Sequence, residues 1–271
     1  MNTRWSRATH QGMGRFGEND QDRLNLFRAD GDTKGFFRVE NRPTDRPFAY
    51  MPSLPAIGVD LHINLFQFNN LYDVDTTNKW TQVNSGSGTA LTVQDGRGGV
   101  AKVVNAATDN SYYGYFSKYE VAKLQAGKGL WLHGLIGVKT VLQADWFFGL
   151  SKQISAAGIF DTRNDVIGFY GVDESANINC ECTKDATATQ STAKGTLSDY
   201  SSTLKELGIY CNGTSAVYFY ISDANGKLAY VATIATNLPD DEEMAVVFAI
   251  RNGEAAANEM TVGRILLLQD I

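Results

Sequence analysis

The chain predicts an all-β fold, two antiparallel sheets stacked as a sandwich, and three observations carry that prediction. The closing stretch Glu206–Ile271 is a series of short β-branched or aromatic runs: Leu207–Cys211, Ala216–Ile221, Lys227–Ile234, Met244–Ile250 and Met260–Leu268. These runs are separated by Asn212-Gly213, Asp223-Ala-Asn225-Gly226 and Leu238-Pro239-Asp240, residues that supply the positive φ angles or the fixed φ that tight turns need. Upstream, from Leu71 onward, the same alternation of short apolar runs and Gly/Asn/Asp loops continues with no sustained helical period. About a dozen strands joined by short loops cannot bury their apolar faces in one layer, so two layers are required.

At 271 residues with 43% hydrophobic residues, the chain has ample core material and is long enough for one large β domain or two small ones. The net charge of −6 argues against a nucleic-acid binder, which needs a basic face. No apolar run approaches the ~20 residues that span a bilayer. The start, Met1-Asn-Thr-Arg4-Trp5, has no apolar segment behind its basic residues, so synthesis in a cytoplasm is expected.

Residues 1–55 differ from everything after them. They hold four of the five prolines and eight of the twelve arginines, with nine basic residues against seven acidic ones. That segment is therefore +2 and the remaining 216 residues −8. It has no period of its own, yet Trp5, Phe16, Phe27, Phe36, Phe37, Phe48 and Tyr50 are unusual in a disordered tail. The reading is an extended N-terminal arm, residues 1–55, that orders against a partner, followed by a sandwich domain, residues 56–271. Its contacting residues are Arg4, Trp5, Arg7, Arg15, Phe16, Arg23, Phe27, Arg28, Phe36, Phe37 and Arg38, since an arginine fork pairs with carboxylates and stacks on rings. The bland alternative is a terminus that adds a strand or two to the sandwich edge.

The elements follow in order. Ile57, Val59, Leu61, Ile63 and Leu65 alternate as a strand with one buried face, placing His62 on the other. Trp80–Val83, Ala90–Val93 and Val100–Val104 are strands. The Gly-rich loops Asn84–Thr89 and Asp95–Gly99 open into strands rather than helices, so they are expected to be hairpin loops and not phosphate cradles. Tyr112–Phe116 continues the series, and Val121–Gln125 is expected to be a brief helical turn. Gly129–Val138 and Asp145–Leu150 are the most apolar strands and belong at the sheet centres. Lys184–Ser198 reads as a hairpin with Thr187, Thr189 and Thr192 on an exposed face. In the last strand Met260 and Val262 share one parity and Ile265 and Leu267 the other, which places a β-bulge at Gly263-Arg264.

Cys180 and Cys182 share one strand face, with Cys211 expected on a neighbouring strand. No fourth ligand joins them, so no zinc site is expected. They read as buried free thiols, or as a disulfide only if oxidation follows assembly.

The run Leu207-Gly-Ile-Tyr-Cys-Asn-Gly-Thr-Ser-Ala-Val-Tyr-Phe-Tyr-Ile221, the return strand to Thr233, Asn237-Leu-Pro and Met260–Gln269 resemble the C-terminal half of a concanavalin A-like (LamG-like) jelly roll. Together with Asp165-Val-Ile-Gly-Phe-Tyr170 and the Thr-rich stretch, they are similar to virion proteins of tailed bacteriophages, of the capsid decoration, cement or head-fibre type. The resemblance spans residues 70–271. It implies a structural protein on the outer capsid surface, with the major capsid protein and further copies of itself (dimer or trimer) as partners and with no cofactor. The alternative is a lectin-like module binding host or surface glycans through Trp80, Trp131 and Trp146.

An enzyme is not expected. Hydrolases of this fold carry Glu-x-Asp-x-Glu on one strand, because acid and nucleophile must face each other across the sugar. Here Asp173-Glu174 are adjacent, Glu181 stands alone between two cysteines, and Asp240–Glu243 read as solvated loop charges. Tyr112, Tyr113, Tyr115 and Lys118 lack the clustered His, Gln and Arg of a lyase. No Gly-x-Ser-x-Gly elbow exists, and neither His62 nor His133 has a carboxylate partner visible in sequence. The Asp223–Gly226 turn offers calcium two ligands of the six to eight it takes.

Overall fold

The computed structural model describes residues 61–66 (by their backbone), 74–85, 87–94, 99–152, 158–200 and 203–270, and Leu61–Asp270 forms one compact unit. Two antiparallel sheets make up this unit. Sheet A runs β14 (Leu228–Ile234), β13 (Ala216–Ser222), β12 (Lys205–Asn212), β7 (Gly129–Val138), β16 (Glu259–Asp270), β4 (Val100–Val104) and β3 (Thr89–Gln94). β1 (Leu61–Phe66) pairs with the C-terminal half of β16. Sheet B runs β11 (Thr187–Thr196), β10 (Asn177–Lys184), β9 (Val166–Gly171), β8 (Ala144–Ser151), β15 (Glu243–Asn252), β5 (Tyr112–Ser117) and β2 (Trp80–Ser85). The short β6 (Ala122–Lys123) lies on β15.

The two strands richest in apolar residues, β7 and β8, occupy the middle of sheets A and B, as their composition requires. A central strand is covered on both faces only if both of its residue parities can be buried. β8 meets that condition: Trp146, Phe148 and Leu150 enter the inter-sheet core, while Phe147 joins a second apolar cluster on the outer face. Phe169 of β9 meets Phe219 of β13 edge-on across the core, with centroids 5.2 Å apart. Tyr115 brings its hydroxyl into the core too, accepting from the Leu91 amide and donating to Gln82. Desolvation pushes its pKa up to about 12.

Local chemistry explains the connections. β10 and β11 meet at Asp185-Ala186, both with positive φ (48° and 60°), the two-residue turn whose twist suits a hairpin. In the β13–β14 turn Asp223 accepts from the Asn225 and Lys227 amides, and Gly226 takes a φ of 74°. Register slips between Val262 and Ile265 of β16, so the bulge sits at Gly263-Arg264 and keeps Met260, Val262, Ile265 and Leu267 all inside. Two outer strands of the sandwich are also irregular. β11 kinks beside Ala193 (φ 53°), and the β13–β14 ladder slips at Phe219/Tyr220.

Three expectations need correction. Asn84–Thr89 is not a hairpin loop: β2 belongs to sheet B and β3 to sheet A, so it carries the chain between layers. Gly88 is needed there because a Cβ would lie 2.2 Å from the Val104 carbonyl oxygen, while Tyr113 hydroxyl bonds its backbone on both sides. Val121–Gln125 contains β6 rather than a helical turn, because the Met244 carbonyl takes the Val121 amide into sheet pairing. A 3₁₀ turn occurs instead at Val141–Gln143. Cys211 is not on a neighbouring strand; β12 lies in the opposite sheet, and it approaches Cys182 across the core. All three thiols are free and buried.

Candidate functional site

The outer face of sheet B carries the densest polar chemistry of the described residues. Strand alternation puts Asp145 and Phe147 of β8, Arg251 and Ala249 of β15, Tyr170 of β9, and Asn179, Glu181 and Thr183 of β10 on this face. The described part of the connection between β8 and β9, residues 158–165, lies over it. Its base is closed by the Lys152 amide on the Asp165 carbonyl, 3.1 Å. Ile159 (1% exposed) and Phe160 pack onto Phe116, Phe147, Tyr170 and Val247. Gly168 makes room, since a Cβ there would meet the Phe147 ring at 2.5 Å.

Two arginines clamp this strap. Arg251 donates from Nε and Nη2 to Asp145 (2.8 and 2.7 Å) and from Nη1 to Asp161, with the Phe160 ring 4.9 Å from its carbon. Its carboxylate partners hold its pKa above the usual arginine value against the opposing effect of burial. Arg163, on the strap, donates from Nε to Glu181 at 2.8 Å and lies 4.3 Å from the centre of the Tyr170 ring. Glu181 is 1% exposed. It also accepts from Thr183 Oγ1 and Gln190 Nε2, 2.7 Å each, so a buried charge is fully hydrogen-bonded. Glu181 therefore does not stand alone: besides Thr183 on its own strand, its partners come from the strap and from β11, out of reach of a local reading.

The outer face of sheet A is different. Trp131 (β7), Tyr210 (β12) and Tyr218 (β13) sit in one cross-strand row and stack, with centroids 5.1 and 5.7 Å apart and planes within 22°. Tyr220 and Tyr230 form a second pair, 6.0 Å apart and edge-to-face, and Tyr230 is 58% exposed. His133 Nε2 lies 2.5 Å from Glu206 Oε1, a carboxylate partner 73 residues distant that the sequence reading did not find. At the rim, Lys184 pairs with Asp240 and Asp241, and Lys152 with Glu242, so three of those four loop acids are paired rather than simply solvated.

The tryptophans expected to meet a glycan are not exposed. Trp80 (0%) packs edge-on to Phe248 in the core, and Trp146 (1%) lies under Gly171, where a Cβ would meet its Nε1 at 2.0 Å. Both carry the inward parity of their strands. Trp131 lies on an outer sheet face but is only 3% exposed. The arm residues Arg4, Trp5, Arg7, Arg15, Phe16, Arg23, Phe27, Arg28, Phe36, Phe37 and Arg38 lie outside the described residues, as does the side chain of His62.

Chemically, sheet B does not set two carboxylates across a sugar. Glu181 is in register with Gly168 and Gly149, and Asp145 lies four residues from Gly149 two strands away. Strand geometry puts them roughly 16 Å apart, against the ~5–9.5 Å of glycosidase pairs. Asp145 and Asp161 are closer, but the Arg251 guanidinium fills the space between them. No group of three or more His, Cys, Asp or Glu side chains capable of holding a metal occurs among the described residues.

No protein-family model and no curated protein matches the chain. Solved structures do. A protein of unknown function from Shewanella oneidensis MR-1 superposes with a TM-score of 0.54 at 12% identity, covering 82% of this chain and 92% of its own. Peanut lectin follows at 0.53 and 9% identity, covering 78% and 97%. An endo-1,3-β-glucanase from Streptomyces sioyaensis gives 0.50 and 11%, covering 79% and 98%. The fold is thus the concanavalin-like sandwich, an architecture these lectin and glucanase structures share, and at such identities the likeness concerns fold alone.

Proposed function

We propose that this chain is a non-catalytic structural protein of a virion, a capsid decoration protein that binds the major capsid protein through residues 1–55 and carries the sandwich outward on the capsid surface. The observation that supports a non-catalytic body is the state of the carboxylates on sheet B. In the cluster on its outer face, Asp145, Asp161 and Glu181 are each paired with an arginine, and Asp145 and Glu181 are too far apart to act on one glycosidic bond. The placement on a capsid rests on the resemblance of residues 70–271 to phage virion proteins and on the contrast between a +2 leader and a −8 remainder. Many weak contacts from an arginine- and ring-rich segment, repeated on each copy, would add through multivalency. The test is co-sedimentation with capsids. Full-length protein is expected to pellet with them, and a variant lacking residues 1–55 to stay in the supernatant while keeping its β-sheet circular dichroism. Equal pelleting of both would sink the reading, and release of reducing ends from glucans would sink its non-catalytic half.

A second reading is a glycan-binding module for adsorption. Two observations favour it: the fold neighbours include lectins, and Tyr230 presents an exposed ring edge-on to Tyr220. Binding of the full chain to a glycan array, lost in Tyr230→Ala, is the expected result; a blank array removes this reading.

A further inference from the structure

Arg163 is held more firmly than its chemistry toward Glu181 requires. Its Nε is fixed by that carboxylate, its plane rests on Tyr170, and Glu181 is itself held by Thr183 and Gln190. One N–H is used in this way. The two Nη groups, with four more, meet no acceptor among the described residues, and they are not among the buried unpartnered polar atoms. The side chain keeps 17% of its exposure. Arg251, a strand-borne counterpart on the same face, has all three of its nitrogens engaged by Asp145 and Asp161. The difference is therefore specific to Arg163. Gln190, an exposed residue bonded through Nε2 to the other oxygen of Glu181, has no partner for its carbonyl Oε1 among the described residues.

We propose that the Arg163 Nη fork, together with Gln190 Oε1, is a recognition site for the carboxylate of a uronic acid unit in a glycan. A planar pair of donors matches a planar pair of carboxylate oxygens, and a guanidinium already fixed by stacking and by its Nε loses little freedom on binding. The Gln190 amide oxygen accepts from a sugar hydroxyl. The −8 charge of residues 56–271 disfavours densely charged polyanions, leaving a single carboxylate within an otherwise neutral saccharide as the ligand that fits. This inference rests on the glycan reading given second above and is independent of the capsid reading.

The test uses the full chain and two probes that differ only at C6, methyl β-D-glucuronoside and methyl β-D-glucoside, titrated while the Arg Nε–Hε signals are followed by NMR. The glucuronoside is expected to shift the Arg163 signal saturably and less strongly as NaCl is raised. The glucoside is expected to bind at least roughly tenfold more weakly. Arg163→Lys, which keeps a positive charge beside Glu181 but loses the fork and the planar stack on Tyr170, is expected to abolish the preference while the protein keeps the circular dichroism of the folded sandwich. Equal binding of both probes, or a preference that survives Arg163→Lys, overturns the site while leaving the glycan reading standing. Acetate binding as tightly as the glucuronoside overturns the saccharide assignment, and no binding of either probe overturns the site outright. A blank glycan array alongside would remove the reading beneath it.

Discussion

Phe148 of β8 and Gly134 of β7 meet across the middle of the sandwich: a Cβ on Gly134 would stand 2.4 Å from the Phe148 ring. The two central strands are thus fitted to each other by a ring on one and the absence of a side chain on the other. Gly134→Ala is expected to force the ring out of place and destabilise the fold by about 1–3 kcal/mol, the range for overpacking a dense core. Phe148→Ala should cost about 3–5 kcal/mol through the cavity it leaves. Urea unfolding followed by circular dichroism measures both.

Glu181 is the hinge pin of the strap. Replacing it with Ala leaves Arg163, Thr183 and Gln190 without their common acceptor and empties a carboxylate position that is itself 1% exposed. A loss of about 3 kcal/mol is expected, because breaking a buried pair strands the remaining charge. Trypsin provides a second readout: cleavage after Arg163 should be slow in the wild type and fast in Glu181→Ala.

The thiols predict an alkaline limit. Desolvation pushes Cys180 from the ordinary 9.0 to about 12 and raises Cys182 and Cys211 as well. The folded state therefore holds these protons more tightly than the unfolded chain does. The stability they confer is complete below pH 9, where neither state ionises, and declines as pH climbs from about 9 toward 12. Replacing all three by Ala should flatten that decline in urea midpoints. In the native protein at pH 8, a thiol reagent should label none of them until urea is added.

Removing Arg264 should be far worse than changing it. The bulge at Gly263-Arg264 lets Ile265 and Leu267 point inward after Met260 and Val262 have done so. Deletion of one residue turns the following half of β16 over and drives Ile265 and Leu267 toward solvent. Loss of soluble folded protein is expected for the deletion, whereas the exposed Arg264→Ala should change stability by less than about 0.5 kcal/mol.

That bulge was legible in the chain because parity is a local signal, and so were the Asp223–Gly226 turn and the central positions of β7 and β8. What the chain hid were relations set by layers. Trp146 and Phe147 are consecutive and both buried, one inside the sandwich and one beneath the strap, so the period-two pattern that would have told inward from outward is erased in β8. This is why Trp146 looked as available to a ligand as Trp131. Likewise, no local spacing announces that the chain changes sheets at Gly88. Nor can it reveal that Glu206 reaches His133, or that Glu181 takes donors from a strap and from an outer strand. Those pairings depend on which elements become neighbours, and only the assembled sheets decide that.

The kinks in β11 and in the β13–β14 ladder have a consequence for crowding. A straight border would let molecules held shoulder to shoulder zip together through their backbones. Here the borders on that side are bent at Ala193 and beside Tyr220, so close neighbours find no continuous track of amides and carbonyls to follow. The protein can be packed densely without being drawn into fibres along that flank.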